Sequence, residues 1–404
     1  MSEEHSVLLP QLLTFVMSDR RPYRILFATL ESGWAGGAEA QMLELAAGLD
    51  RSEFEPLLLT TPYRGGQMVP RARDLGMTVD VLPYRFLRRL FPFVGYYTIG
   101  PLFVRALLHR RRIDLVHTHC QSSAVPIITA SAGMRMPLAY HIHDLDRRWV
   151  TRRTLRVLNR KQTVAIPVSD VVADYARKAG VDPQRIRTVH NGIHIVDFPP
   201  DARARVRTSL GIGNDEIALV LLGRVEPRKG QEFLVRALAH EKLRGLPLRA
   251  FFIGATASGF EEHDRKLREM IVDLGLSDRV HFVGFREDAP QLLAGFDIAT
   301  LPLRREAFGR VVVESMNGGL PIIGYAEAAL PELVRQGREG YLVNPGDLEA
   351  FVDKVAMLAR DAALRHRLGS NARERARAFS HHRFVAEMSE VYRELLSRRP
   401  SGAR

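Results

Sequence analysis

Cysteine is nearly absent from this chain of 404 residues, in which Cys120 stands alone. A single cysteine excludes internal disulfides and most metal sites built from thiolates, and it is typical of a reducing compartment. Long apolar runs are missing too. The closest candidate, 90–104, contains two prolines and two glycines and is shorter than the roughly 20 residues that a membrane span needs. The sequence therefore predicts no transmembrane helix.

The N-terminal residues show no secretory signal, because they begin acidic and their short apolar part is broken by Pro10. We expect a cytoplasmic protein, with peripheral contact to the inner face of a membrane left open. Lysine is scarce, since six of the 58 basic residues are lysines and the others are arginines. Against 46 acidic residues the formal net charge is +12. An arginine excess suits phosphates or acidic surfaces, although codon bias in a GC-rich genome explains it equally well.

Nucleic acid is not an expected partner, because the basic residues are spread along the chain and no nucleic-acid-binding module is recognisable. Two islands are arginine-rich, 85–112 and 147–161, with apolar and aromatic residues between the arginines. Such a pattern suits an anionic membrane surface. A solvated helix face with its apolar side packed inward is the alternative.

Short apolar runs alternate with helical patterns along most of the chain. The composition, with 46% hydrophobic and 26% charged residues, is that of a globular protein. Strand–helix alternation predicts parallel sheets wrapped by helices, and it restarts after a break at Asn191-Gly192 and Pro199-Pro200. We therefore predict an α/β protein of two Rossmann-like, doubly wound domains facing a central cleft. The strand candidates are 25–29, 54–60, 79–82, 115–118, 138–142 and 164–168, then 217–222, 249–253, 280–283, 298–301, 321–324 and 340–343.

The domain limits follow from this break, which includes a polar, glycine-containing stretch at 201–214. We expect the C-terminal helix to pack back on the first domain. The predicted parts are an N-terminal extension 1–22, a first domain 23–195, a second domain 196–379 and a C-terminal helix 380–400.

In open α/β sheets, ligands bind at the carboxyl ends of the strands, and the polar motifs of this chain follow strand candidates. Gly36-Gly37-Ala38-Glu39 comes after the first strand and opens a helix. Its glycines let a ligand approach the backbone, and a helix N-terminus attracts anions. A tight turn without a ligand is the alternative, since the dinucleotide-binding fingerprint is absent.

The loop 223–230 follows the first strand of the second half and carries Arg224 and Lys229 between two glycines. Two cations fixed there would neutralise a diphosphate leaving group without a metal ion. A solvated surface turn is the alternative.

Two carboxylates lie eight residues apart, Glu306 in a loop after a strand and Glu314 on the following helix. Eight helical residues rise about 12 Å, so the pair can reach different parts of an elongated ligand. Carboxylates accept hydrogen bonds from sugar hydroxyls. A helix cap and a surface glutamate are the alternative.

Four histidines at the ends of two strands form the pairs His117, His119 and His141, His143. Their i, i+2 spacing places each pair on one face of a strand. A plain structural role is one alternative, and a zinc site is a weaker one because no cysteine pair supports it. We expect one of the histidines to form a hydrogen bond in the cleft. The turn 190–193, at the domain boundary, is interpreted as a hinge.

Taken together, these stretches resemble a retaining family-4 glycosyltransferase of the GT-B type, over residues 23–396. The specific signal is Glu-x₇-Glu around Phe-Gly, preceded by Arg-x₄-Lys; the double glycine alone is common. The matching stretches are GGAE at 36–39, HIHD at 141–144, HNGI at 190–193, GRVEPRKG at 223–230, EAFGRVVVE at 306–314 and GLPII at 319–323.

The resemblance implies transfer of a sugar from a nucleotide diphosphate sugar, a UDP-sugar by family frequency, to a hydroxyl of a glycan, lipid-linked or small-molecule acceptor. It implies neither a metal nor a cofactor. The first domain would bind the acceptor and the second the donor. Arg224 and Lys229 would hold the diphosphate, while Glu306 and Glu314 would meet the donor sugar and the ribose. His143 would lie near the reacting carbon. The donor site would be completed by Gly36, Gly37, Phe308 and Gly309.

Two other functions fit the same fold: a nucleotide-sugar epimerase and a catalytically inactive partner protein. The chain also departs from the family pattern. Many relatives carry a glycine pair where this chain has Ala328-Ala329, and Asn317 replaces the commoner alanine. Methyl groups at 328 and 329 are expected to change the approach of the backbone to the donor.

Overall fold

The computed structural model describes residues 21–29, 37–61, 67–82, 99–119, 127–131, 134, 136–145, 159 and 162–398. Gly36, most of the extension 1–22 and large parts of the two arginine-rich islands lie outside the described residues.

The first half forms a parallel sheet of six strands in the order β3-β2-β1-β4-β5-β6. This is the doubly wound order, in which strands are added outward on one side of β1 up to β3 and then on its other side from β4 onward. The strands are β1 Tyr23–Ala28, β2 Phe54–Thr60, β3 Thr78–Val81, β4 Leu115–Thr118, β5 Leu138–Ile142 and β6 Thr163–Pro167, and the helices are α1 Gly37–Gly48, α2 Met68–Asp74, α3 Gly100–Arg110 and α4 Asp170–Lys178.

The second half repeats this topology with the order β12-β11-β10-β7-β8-β9. Its strands are β7 Ile217–Leu222, β8 Leu248–Ile253, β9 Val280–Gly284, β10 Ile298–Leu301, β11 Ile322–Tyr325 and β12 Gly340–Val343. The helices are α5 Ala202–Ser209, α6 Gln231–Ala239, α7 Glu241–Arg244, α8 Glu261–Asp273, α9 Ala289–Leu292, α10 Arg310–Asn317, α11 Leu330–Leu333, α12 Leu348–Arg360, α13 Ala362–Ala376 and α14 His381–Ser397.

The predicted fold class is confirmed, and a strand overlaps every predicted strand candidate. These strands were recognisable because parallel strands covered by helices on both faces are continuous apolar runs. In β1, Ile25, Leu26, Phe27 and Ala28 are all fully buried. Among the described residues, no helix is both long and apolar enough to cross a membrane.

The polar stretch 201–214 differs from the expectation of a linker, because it contains helix α5. Arg207 is 5% exposed, and its guanidinium binds Asp297 at 3.1 Å and the carbonyl oxygen of Glu216 at 2.7 Å. Arg203 binds the other oxygen of Asp297 at 2.6 Å. The helix is therefore anchored by arginine contacts to a distant carboxylate and by Val206 and Leu210, which pack against the core.

Helix α14 packs against the first sheet. Tyr392 is fully buried, with its ring edge-on to Phe54 at 5.9 Å and its hydroxyl 2.5 Å from Nδ1 of His117. Ile193 pairs with the start of this helix through backbone hydrogen bonds, its carbonyl accepting from the N–H of His381 at 2.7 Å. These contacts support assigning α14 to the first domain.

Candidate functional site

The loop 223–230 begins where β7 ends and lies tightly against its neighbours. Gly230 has φ +79°, and a Cβ there would lie 2.5 Å from the carbonyl oxygen of Pro302. Gly254, after β8, has φ +152°, and a Cβ there would lie 2.2 Å from the carbonyl oxygen of Gly223. Only glycine fits both positions. The loop is thereby fixed at the carboxyl ends of β8 and β10.

Lys229 and Glu306 meet at this edge of the second sheet. Lys229 is 9% exposed, and its Nζ forms an ion pair with Oε1 of Glu306. The side chain of Glu306 is 13% exposed. Charges withdrawn from water to this extent need a partner of opposite sign. The structure thus brings together two of the residues that the sequence singled out.

Arg224 lies at the open side of the same loop, with its side chain 44% exposed. One guanidinium nitrogen is 3.8 Å from Oε1 of Glu226, which is 5% exposed and also accepts from Arg228 at 3.0 Å. Gln231 donates to the backbone carbonyl of Arg224 at 2.9 Å. A buried carboxylate therefore orients two arginines beside Lys229.

The other carboxylate, Glu314, lies on α10 and faces the first domain. Arg310, one turn earlier, is 3.8 Å from Glu314 and donates at 3.1 Å to Glu44 on α1. Burial raises the pKa of Glu314; Arg310 opposes this shift and Glu44 adds to it. Glu314 is therefore part of a charged contact between the domains.

Phe308 and Gly309 shape the start of α10. Gly309 is the residue before the helix and has φ +90°, a conformation that favours glycine. Phe308 is 3% exposed and contacts His190 and Phe379, with ring centroids 5.9 Å and 5.8 Å away. Both residues therefore have structural roles in the unliganded chain, beside the donor-binding role that the resemblance implies.

Gly37 begins α1, and no described atom outside its chain neighbours lies within 4 Å of the position that a Cβ would occupy. The packing of the described residues therefore does not require glycine here. A ligand approaching the helix N-terminus remains a reason for it.

Four histidines form a row on one face of β4 and β5. His117 and His141 are fully buried, His119 is 8% exposed and His143 is half-buried. Nδ1 of His119 lies 3.0 Å from Nε2 of His143, a hydrogen bond between two members of the row, whereas the expected role of one histidine toward a ligand in the cleft stays a prediction. The rings of His141 and His143 are 4.0 Å apart.

Burial is the main electrostatic influence on these rings. It lowers the pKa of His117, His119 and His141 well below 6.5, and neighbouring histidines act in the same direction. Burial and the charge of Arg310 lower the pKa of His143 to about 3. All four imidazoles are therefore neutral at physiological pH.

Three groups of side chains could hold a metal ion among the described residues, each with ligand atoms within 4.8 Å of one another. In the most buried group, the aromatic neighbours of the imidazoles are Phe27, Phe384, Tyr392 and His143. A divalent ion there would carry two positive charges into a buried and largely apolar environment, which is costly without a compensating negative charge. The groups are His117, His119, His141; Glu44, His194, His381; and Asp170, His190, Glu332.

Contacts between the two domains include one that sequence reasoning missed. Glu332 on α11 accepts hydrogen bonds from the backbone N–H groups of Asp170 at 2.8 Å and Val171 at 2.7 Å. It therefore caps the N-terminus of α4, a helix of the other domain. His190, in the predicted hinge, lies 3.7 Å from the same carboxylate. A glutamate after proline in a first helical turn was the available local signal, but it does not reveal a partner 162 positions away.

Of the two alanines at 328 and 329, only the first adopts a positive φ, the backbone conformation that favours glycine. Ala328 has φ +53°, whereas Ala329 has φ −82° and is fully buried. Its N–H donates to the carbonyl of Glu306 at 3.2 Å, so this loop is tied to the charged site.

Comparisons with known proteins match both halves of the chain. Residues 35–196 match the family model described as Glycosyltransferase Family 4, and residues 202–375 match that of Glycosyl transferases group 1. The D-inositol 3-phosphate glycosyltransferase of Xylanimonas cellulosilytica is 30% identical over 405 residues, covering 92% of this chain and 94% of that protein. The protein of the same description from Saccharomonospora viridis is 29% identical over 324 residues, 74% of each chain.

Solved structures are also similar to this chain over nearly its whole length. Anabaena Alr3699/HepE in complex with UDP-glucose has a TM-score of 0.78 and 27% identity, covering 92% of this chain and 99% of that one. The sucrose-phosphate synthase of Thermosynechococcus elongatus has a TM-score of 0.77 over 93% of this chain and 99% of that one; at 21% identity, this likeness concerns the fold alone.

Proposed function

The chain belongs to the group 1 glycosyltransferases of family 4, which have the GT-B fold, and we propose that it transfers a sugar from a UDP-sugar to an acceptor hydroxyl with retention of configuration. The second domain binds the donor and the first the acceptor. UDP is supported by Anabaena Alr3699/HepE, whose structure holds UDP-glucose.

The ion pair of Lys229 with Glu306 is the main support for this proposal. A cation and an acceptor group lie together at the sheet edge where ligands of this fold bind. When a diphosphate is present, Lys229 exchanges its carboxylate partner for phosphate oxygens. The Glu306 carboxylate is then available for the hydroxyls of the sugar.

In the proposed reaction, the bond between the anomeric carbon and the β-phosphate oxygen breaks as the acceptor oxygen attacks the same face. The acceptor proton passes to the departing phosphate oxygen, so atoms and charge balance without a protein base. Arg224 and Lys229 stabilise the charge that develops on the diphosphate. A metal ion is not needed for this step because two cations are already in place.

Donor choice is tested by thermal shift with UDP-, GDP- and ADP-sugars at equal concentration. We expect the UDP-sugars to raise the melting temperature most. Acceptors are then screened with the preferred donor, including D-inositol 3-phosphate, on which the named relatives act, and lipid-linked sugars. The absence of a shift with any UDP-sugar would contradict the donor assignment.

Release of free UDP separates transfer from epimerisation. A transferase releases UDP only when an acceptor is present, whereas an epimerase converts the donor without releasing it. NMR of the product gives the anomeric configuration, which we expect to be that of the donor. An inactive partner protein would neither release UDP nor change the donor.

A membrane-proximal acceptor is a further part of the proposal. Helix α3 exposes Leu102 and Phe103, at 66% and 52%. Of the basic residues at its end, Arg110 and Arg111 both bind Asp80, at 3.2 Å and 2.9 Å. Because this carboxylate offsets part of the charge, contact with an anionic bilayer depends on the apolar side chains as well.

Liposome co-sedimentation tests this surface. We expect the double variant Leu102→Ser, Phe103→Ser to bind vesicles of phosphatidylglycerol and phosphatidylcholine several-fold less well than the wild type. The matched control is Val272→Ser, Phe285→Ser, which removes residues 66% and 63% exposed on the second domain. Equal sedimentation of the wild type and both variants would contradict membrane contact through α3.

A further inference from the structure

His143 has one ring nitrogen occupied inside the protein. Its Nε2 lies 3.0 Å from Nδ1 of His119, at the half-buried end of the histidine row. Both rings are neutral, so one of these nitrogens carries the hydrogen and the other accepts it. The direction of this hydrogen bond decides whether Nδ1 of His143 is a donor or an acceptor.

The surroundings of His119 favour one direction. Its Nε2 is buried and has no hydrogen-bond partner among the described residues. If Nδ1 of His119 accepted the bond, its Nε2–H would be a buried donor without an acceptor. If Nδ1 donates, only a lone pair is left at Nε2. Buried N–H groups without partners are rarer than acceptors with spare capacity.

We infer that His119 is a positioning residue that fixes the tautomer of His143, so that His143 presents an Nδ1–H donor on the side away from His119. This inference rests on the proposed function for its chemical meaning. A fixed donor next to the reacting carbon binds a hydroxyl or ring oxygen of the donor sugar. Because its Nδ1 already carries a proton, His143 cannot be the base that deprotonates the acceptor hydroxyl, which agrees with transfer of that proton to the departing phosphate.

His141 does not contribute a hydrogen bond to this arrangement, although its ring is 4.0 Å from that of His143. Neither of its ring nitrogens has a partner among the described residues. It serves as the matched control, because it contacts the same imidazole without bonding to it.

The tautomer is measured directly by ¹⁵N NMR of the histidine side chains in the unliganded protein, with His143→Gln used for assignment. We expect the pattern of a protonated Nδ1 in the wild type. It should become a mixture of tautomers in His119→Leu. His119→Asn should restore it, because the asparagine amide offers an N–H near the original Nδ1. His141→Phe should leave it unchanged.

Kinetics give the second readout. We expect kcat to fall about 100-fold in His119→Leu, because a misplaced contact to the reacting sugar has an effect of that size. KM for the UDP-sugar should change little, and His119→Asn should recover most of kcat. A protonated Nε2 on His143 in the wild type, or stoichiometric metal retained by these histidines, would overturn the inference.

The two tests separate this inference from the proposed function. The NMR experiment needs neither the sugar donor nor the sugar acceptor, so its result on the tautomer of His143 stands even if the protein turns over no UDP-sugar. If transfer occurs but His119→Leu keeps the wild-type kcat, His119 has no positioning role. If His119→Leu fails to fold, the wild-type spectrum and His119→Asn still decide the direction of the bond.

Discussion

The ammonium of Lys229 and the carboxylate of Glu306 form an ion pair between two loops that are 77 positions apart in the chain. One loop follows β7 and the other follows β10, and these two strands are neighbours in the second sheet. The order in which strands are added to the sheet switches sides between β7 and β10, and such a switch point opens a crevice at the carboxyl ends of the strands. The strand order therefore places the cation and the carboxylate together where a ligand can enter.

Replacement of Lys229 by alanine should lower turnover of the UDP-sugar about 100- to 1,000-fold, because charge on the departing diphosphate loses a fixed partner. Steady-state release of UDP measures this. The control is Lys242→Ala, whose ammonium binds Glu349 at 3.0 Å and Asp353 at 2.6 Å on the exposed surface of the same domain. Wild-type turnover in Lys229→Ala would remove this residue from the chemistry.

Much of the sheet was predictable from the sequence, because its strands are buried on both faces and therefore read as apolar runs. That Lys229 and Glu306 lie near each other could also be predicted, because each follows a recognisable strand and the carboxyl ends of these strands share one edge of the sheet. The role of Glu332 could not be predicted, because its partners are backbone N–H groups of another domain, and every residue except proline carries such a group. Helix α5 was missed because much of its anchoring comes from Arg203 and Arg207, which bind Asp297, while only a few apolar residues such as Val206 reach the core.

Glycine at position 328 should stabilise the protein. Ala328 has φ +53°, a conformation that strains an L-residue by about 1–2 kcal/mol. Part of the gain is offset because glycine makes the unfolded chain more flexible, which leaves about 0.5–1 kcal/mol. Urea unfolding measures the difference. Ala329→Gly is the control, since Ala329 has φ −82° and should only lose stability; equal effects of both changes would contradict strain at 328.

Glu332 should control the closure of the two domains. Replacing it by alanine removes two hydrogen bonds to the N-terminus of α4, which keeps its own N-cap Ser169; the loss costs about 0.5–2 kcal/mol and frees the second domain to move. We expect a larger radius of gyration in solution scattering. Asp347→Ala removes a cap within the second domain, where the carboxylate accepts from Ala350 at 3.0 Å. This control should lower the melting temperature without changing the radius.

The Glu332 cap should also depend on pH. Burial raises the pKa of Glu332, but the nearby imidazole of His190 and hydrogen bonds from the N–H groups of Asp170 and Val171 outweigh it and lower the pKa overall. The cap is therefore fully effective above the ordinary carboxyl pKa, and its stabilisation is lost as pH falls through the lowered pKa of the folded state. The radius of the wild type should approach that of Glu332→Ala in acid, and a constant difference between them would exclude this linkage.

The histidine row should make the first domain sensitive to mild acid. His117, His119, His141 and His143 all have lowered pKa values when folded. The unfolded chain therefore binds more protons below about pH 6.5, and stability present above that pH is lost as pH falls toward the folded values.

Each histidine that takes up a proton on unfolding contributes about 1.4 kcal/mol per pH unit to this loss. We expect the free energy of unfolding, measured with urea between pH 7 and pH 5, to fall with a slope that approaches four such contributions. His141→Phe should reduce the slope by one contribution, because it removes one proton site and keeps a ring in the core. It should also raise stability at pH 7, since neither ring nitrogen of His141 has a partner among the described residues. A slope that is the same in wild type and variant would show that His141 is not the buried neutral group that its surroundings indicate.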